Sequence, residues 1–220
     1  MRKLSSVLSI AMLLMLLPFA VMGKTPVKKV LFIGDSMTGW MGERFGAYGD
    51  KNGFSVATYT WDGSTIKKWA DTPRLKSIVE EQDPDVVFVC LGMNDMFQRN
   101  PEQAFGASLT QIKRAIGDRE MVWVGPPSWP GKNLGNQFND WMSHKLGSRF
   151  FNSSELTLPR QSKSNPHPTR AGIIQWVDEI VEWLGTNPNL SFPSLDKPEA
   201  NEKQMSRGKV FVYKRMKEKL

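Results

Sequence analysis

Four residues whose types suit acyl transfer fall at the ends of predicted elements in this chain. Ser36 lies in "FIGDSMT", Gly63 in "WDGST", Asn94 in "LGMND" and His167 in "HPTRAG". A serine hydroxyl is a weak nucleophile until a neighbouring base removes its proton. An imidazole is the usual base, and the amide of Asn94 with the N–H groups of Ser36 and Gly63 could surround the oxyanion of a tetrahedral intermediate. Taken alone, Ser36 also suits a helix N-cap and Asn94 a turn. Asp95 is read as structural, and His144, in the helical "NDWMSHKL", as a solvated helix residue.

The elements that must position these residues alternate along the chain. Short β-rich runs, "KKVLFIG", "FSVATYTW", "PDVVFVCLG", "EMVWVGP" and a weaker "SRFFNS", are separated by helical patterns over Arg74–Gln82, Pro101–Ile116, Asn136–Leu146 and Thr169–Leu184. Such alternation predicts βα units and a parallel sheet, with ligands at the carboxyl ends of the strands. Gly39, Gly42, Gly46 and Gly49 would form one smooth helical stripe, read as tight packing on the sheet. Cys90 ends a buried run and reads as a small core hydrophobe. No Cys or His cluster suggests a metal, and no cofactor is expected.

Arg2 and Lys3, the apolar run from Val7 to Val21 and the small Gly23 have the architecture of a secretory signal peptide over 1–23. This predicts a periplasmic or secreted protein, with an uncleaved membrane anchor as the alternative. A domain over 24–186 follows. The net charge of +7 is concentrated at the ends, because the last 34 residues carry eight Lys/Arg against four Asp/Glu. A nearly neutral body does not argue for nucleic-acid binding. Residues 187–220, rich in Pro, Ser and charge, are expected to be a basic, flexible tail. Docking to the domain or contact with an envelope surface is the lesser expectation, and "KVFVYKRMKEKL" could start with a short strand.

The four ordered blocks resemble those of the SGNH hydrolase (GDSL esterase/lipase) superfamily. The resemblance implies an α/β fold, a flavodoxin-like three-layer α/β/α arrangement with a five-stranded parallel sheet. It also implies Ser36 as nucleophile, His167 as base, and Ser36 N–H, Gly63 N–H and Asn94 as the oxyanion hole. The family's usual Asp three residues before the histidine is replaced here by Ser164. The candidate orienters in the loop are Ser164 and Asn165. A main-chain carbonyl in 164–166 or a remote carboxylate such as Glu155 or Asp178 could also hold the imidazole. A Ser–His dyad on a main-chain carbonyl is the favoured expectation.

Eight tryptophans are many for 220 residues, and flat aromatic faces suit sugar rings. Trp40, Trp61, Trp69 and Trp129 fall near the expected rim, with Trp40 and Trp129 the candidate substrate contacts. The expected activity is an exported esterase removing acyl, chiefly acetyl, groups from carbohydrate or small esters. An O-acetyltransferase acting on envelope glycans and a non-catalytic glycan-binding protein on the same fold are the alternatives.

Overall fold

A computed structural model describes residues 26–128, 135–162, 164–165, 167–199 and 209–213. The expected signal peptide and Trp129 lie outside the described residues. Six parallel strands form one sheet: β1 Lys29–Gly34, β2 Ser55–Trp61, β3 Val86–Cys90, β4 Glu120–Val124, β5 Phe150–Phe151 and β6 Lys209–Tyr213. Their spatial order is β5-β4-β3-β1-β2-β6. Six helices connect them: α1 Thr38–Asn52, α2 Ile66–Asp71, α3 Arg74–Gln82, α4 Pro101–Ile116, α5 Gly135–Leu146 and α6 Arg170–Thr186. The first five strands are those expected from their apolar runs, and they build the doubly wound α/β fold.

Strands β1 and β3 are buried almost throughout, as the inner strands of a parallel sheet covered on both faces must be. Phe32 and Phe88 stack at 4.6 Å across them, and Phe45 from α1 packs on both rings. The glycine stripe of α1 serves packing, as expected. A Cβ on Gly42 would lie 1.9 Å from Thr58 Oγ1, and one on Gly49 would lie 2.4 Å from the Phe54 carbonyl oxygen. Helix α1 therefore sits on β2 at a distance that only glycine permits.

The expectation of a flexible tail from residue 187 onward fails for 187–199. Leu190 and Phe192 are buried, and Phe192 meets Phe45, Phe54 and Phe88 edge-on. Polar staples complete the docking. Arg44, buried on α1, donates to Asp178 Oδ1 at 2.7 and 2.9 Å and to the carbonyls of Pro198 and Glu199. Asn52 and Asp196 exchange hydrogen bonds at 2.8 and 2.9 Å. Aromatic burial thus outweighs the Pro-rich, charged composition from which disorder was expected. Strand β6 then extends the sheet to six by pairing with β2 from Ala57↔Lys209 to Trp61↔Tyr213. Among the described residues no helix is long and apolar enough to cross a membrane.

Gly42→Ala tests the close approach of α1. Overpacking costs about 1–3 kcal/mol, so Tm should fall by roughly 2–10 °C in a thermal melt, with Gly39→Ala, whose added carbon meets Thr60 Cγ2 only at 3.5 Å, the milder change.

Candidate active site

The ends of β1, β2 and β3 deliver the first three sequence blocks to one edge of the sheet. After Gly34 the chain turns sharply. The Asp35 carboxylate accepts the Met37 N–H at 3.0 Å, and the Thr60 hydroxyl donates to the Asp35 carbonyl at 2.5 Å. These bonds lift Ser36 to the start of α1. Beyond β2, Gly63 adopts φ +69°, a conformation that costs glycine little. Ser64 is buried and accepts the Trp69 indole N–H at 2.9 Å, while Thr65 caps α2 by accepting the Lys68 N–H. Trp69 is therefore core, not rim, and Trp61 packs edge-on against it at 5.8 Å.

Beyond β3, Gly92 has φ +130°, and a Cβ there would meet Phe138 and Pro126 at under 3 Å. The following turn brings Asn94 beside the second block, where its Nδ2 donates to the Ser64 carbonyl at 2.8 Å. One hydrogen on Nδ2 remains available. The N–H groups of Ser36 and Gly63 donate to no other group among the described residues. Asp95 plays the structural part expected of it, since its carboxylate accepts the Ile66 N–H at 3.2–3.3 Å at the start of α2.

The fourth block comes from the loop before α6. Thr169 caps that helix by accepting the Gly172 N–H at 3.1 Å and donates its own N–H to the Pro159 carbonyl at 2.8 Å. A Cβ on Gly172 would lie 2.5 Å from that carbonyl oxygen, so "HPTRAG" encodes both the cap and the close approach. Pro168 bridges Arg160, and the Gln161 N–H donates to the His167 carbonyl at 3.1 Å. Held in this way, His167 Nε2 lies 2.9 Å from Ser36 Oγ.

Asn165 settles the orienter in the structure. Its Oδ1 lies 2.7 Å from His167 Nδ1 and accepts the His167 main-chain N–H at 3.0 Å. The main-chain N–H can only donate, so the Asn165 atom facing it is oxygen. Asn165 Nδ2 donates to Gln161 Oε1 at 2.9 Å on the other side, in keeping with that amide orientation. Nδ1 must then carry the proton, and Nε2 presents a lone pair to the Ser36 hydroxyl. In place of the favoured main-chain carbonyl, the side-chain oxygen of Asn165 faces Nδ1, in a hydrogen-bonded chain Ser36–His167–Asn165. Ser164 does not contact the ring; its hydroxyl lies 3.3 Å from that of Ser162. Asp178 is occupied by Arg44, Tyr48 and Lys197, and Glu155 by Ser154. His144 is exposed on α5, and Cys90 is buried in the core.

A cavity of about 320 Å³ opens beside the serine and histidine, with Trp40, Glu43, Asp62 and Gln161 among its walls. Trp40 does reach the cavity, with the Arg170 guanidinium 5.1 Å from its ring centroid. Sequence reasoning missed Glu43 and Gln161, which belong to no chemical motif, and gave no role to Asp62, although it lies in the "WDGST" block. Beneath the site, burial pushes the Asp35 carboxyl up to about 7, assisted by the negative charges of Asp95 and Asp62. Burial also raises Asp95 to about 6.

A serine hydroxyl, an imidazole of fixed tautomer and unengaged N–H donors at the carboxyl edge of a parallel sheet define a serine acyl hydrolase. Residues 32–186 match the model of the GDSL-like Lipase/Acylhydrolase family, and the chain belongs to it. Among solved structures, it resembles the lipase/acylhydrolase from Enterococcus faecalis, with 16% identity, a TM-score of 0.55, and 78% of this chain and 99% of that one covered. It also resembles the family 3 carbohydrate esterase of Clostridium thermocellum, with 19% identity, a TM-score of 0.53, and coverage of 70% and 94%. The esterase EstA from Pseudoalteromonas sp. has 18% identity, a TM-score of 0.51, and coverage of 72% and 100%. No curated protein sequence matches the chain.

Three measurements follow from this geometry. Asn165→Ala should lower kcat by about 10²-fold, less than the ~10⁴-fold loss seen when a triad built around Asp loses its carboxylate. Asn165→Asp should retain activity and move the acid limb of the pH–rate profile upward, because a carboxylate holds the imidazolium charged. For Asp35, the folded-state value lies above the ordinary 3.8. Its stabilising balance is therefore greatest at low pH and is lost as pH rises through about 7. Asp35→Asn removes that titration, so its Tm relative to wild type should be higher at pH 8 than at pH 5.

Proposed function

We propose that this acyl hydrolase is an exported serine esterase that removes acyl groups, chiefly acetyl, from carbohydrate or other small esters. The observation that carries the reading is the 2.9 Å approach of Ser36 Oγ to a His167 Nε2 whose lone pair is assigned by Asn165. Ser36 Oγ attacks the ester carbonyl as His167 Nε2 takes its proton, and Asn165 Oδ1 holds the protonated ring. The oxyanion is met by the N–H groups of Ser36 and Gly63 and by Asn94 Nδ2, where one such donor is worth about 2.7–4 kcal/mol. His167 then gives the proton to the departing alcohol. Water, deprotonated by the same imidazole, attacks the acyl-serine and releases the acid.

The acetyl and carbohydrate assignments draw on Trp40 in the cavity wall and on similarity in fold to proteins described as a family 3 carbohydrate esterase and an acetyl xylan esterase. Export draws on Arg2, Lys3 and the apolar run ahead of Gly23. The test is p-nitrophenyl acetate hydrolysis by the purified protein. Ser36→Ala and His167→Ala should each reduce kcat by at least 10³-fold without lowering Tm by more than a few degrees, and mass spectrometry should find an acetyl group on Ser36 alone. Absence of any Ser36-dependent acyl-enzyme would leave a glycan-binding protein on the same fold. Faster acetyl transfer to an added oligosaccharide than to water would make the protein an O-acetyltransferase.

A further inference from the structure

We infer that the cavity beside Ser36 seats the alcohol part of the ester and selects it by charge, with Asp62 and Glu43 favouring an ammonium-bearing or neutral polyhydroxyl alcohol over an anionic one. The inference rests on the esterase reading above. The alcohol oxygen must receive its proton from His167 Nε2, so the alcohol departs on the histidine side of Ser36. The oxyanion lies on the other side, toward Gly63 and Asn94. The cavity is lined by His167, Gln161 and Pro168 and by neither Gly63 nor Asn94, which makes it the seat of the alcohol.

The charges in that seat are two carboxylates. Asp62 has no hydrogen-bond or ion-pair partner among the described residues, so its negative charge is uncompensated. Glu43 faces Arg170 at 3.6 Å, a loose contact between partly exposed groups. Of the nearby cations, Lys68 donates to the Gly63 carbonyl at 3.3 Å on the oxyanion side, and Arg160 donates to the Ser128 carbonyl. Carboxylates at a partly desolvated site attract an ammonium and accept hydrogen bonds from sugar hydroxyls. An alcohol carrying a carboxylate, sulfate or phosphate would meet like charge, which costs far more at a cavity wall than in bulk water. An amino sugar or a neutral sugar fits this seat, and a uronate or sugar phosphate does not.

Three acetate esters of similar shape separate the effects: acetylcholine (cationic), 3,3-dimethylbutyl acetate (its neutral isostere) and 4-acetoxybutanoate (anionic). At low ionic strength kcat/KM should fall in that order, with at least a tenfold span. The span should shrink with added salt, and Asp62→Asn and Glu43→Gln should each narrow it at least threefold. Equal rates for the three esters, a preference for the anionic one, or a span unchanged in both variants would overturn charge selection while leaving the esterase intact. No Ser36-dependent hydrolysis of the neutral ester would overturn the esterase reading and this inference with it.

Discussion

The register of β1 between β2 and β3 is the constraint on which the site depends. Gly34 sits opposite Thr60 on one side and Cys90 on the other, so all three strands end at one level. A Cβ on Gly34 would lie 2.2 Å from the Cys90 carbonyl oxygen, so the strand end can turn there only without a side chain. That turn places Asp35 in the interior and Ser36 at the surface of the sheet edge. The same level brings Gly63 and Asn94 toward Ser36, as expected of ligand sites at strand carboxyl ends. A shift of one residue would exchange Asp35 and Ser36, burying the hydroxyl and exposing the acid.

Much of this was legible because the chemistry and the packing use the same residues. "FIGDSMT" and "LGMND" each join an apolar strand to a glycine that the backbone requires and to a polar group that the site requires. Helices α3 and α4 lie where their apolar periodicity placed them, Arg74–Gln82 and Pro101–Ile116. Helix α2 escaped, because six residues are too few to display a helical period. Its support is tertiary: the Asp95 carboxylate from β3's turn and the burial of Ile66 and Trp69. Composition misled at 187–199. There, single apolar residues spaced along a polar segment drive docking by filling an aromatic cluster, and their partners lie over a hundred positions away.

The orienter of His167 was legible as a set of options and not as a choice. The sequence shows Asn165 two residues before the histidine, where the usual Asp stands three before. Only the loop geometry decides that a shorter connection still brings an oxygen to Nδ1. It does so because one oxygen serves two donors of the same residue, the ring and the main chain. Gln161 supplies the final restraint by engaging the other end of the amide. A Ser at 164 is then unremarkable, since the position of the usual acid points to Ser162 instead of to the ring.

An amide can set the tautomer and angle of an imidazole as well as a carboxylate can, but it brings no charge. In the proposed reaction, the imidazolium formed during attack therefore lacks a contact counter-ion on its Nδ1 side. The carboxylates that share its cavity are Glu43 and Asp62, and their attraction acts at a greater distance than a hydrogen bond. Coulomb energy falls with distance and with the access of water, so a substrate that fills the cavity and expels water strengthens that attraction. Orientation and charge, joined in one residue in a Ser-His-Asp triad, are thus divided here between the loop and the cavity wall. If the proposed charge selection holds, the same two acids, Glu43 and Asp62, also help hold the proton that the alcohol receives, and a poorly fitting ester loses both effects together.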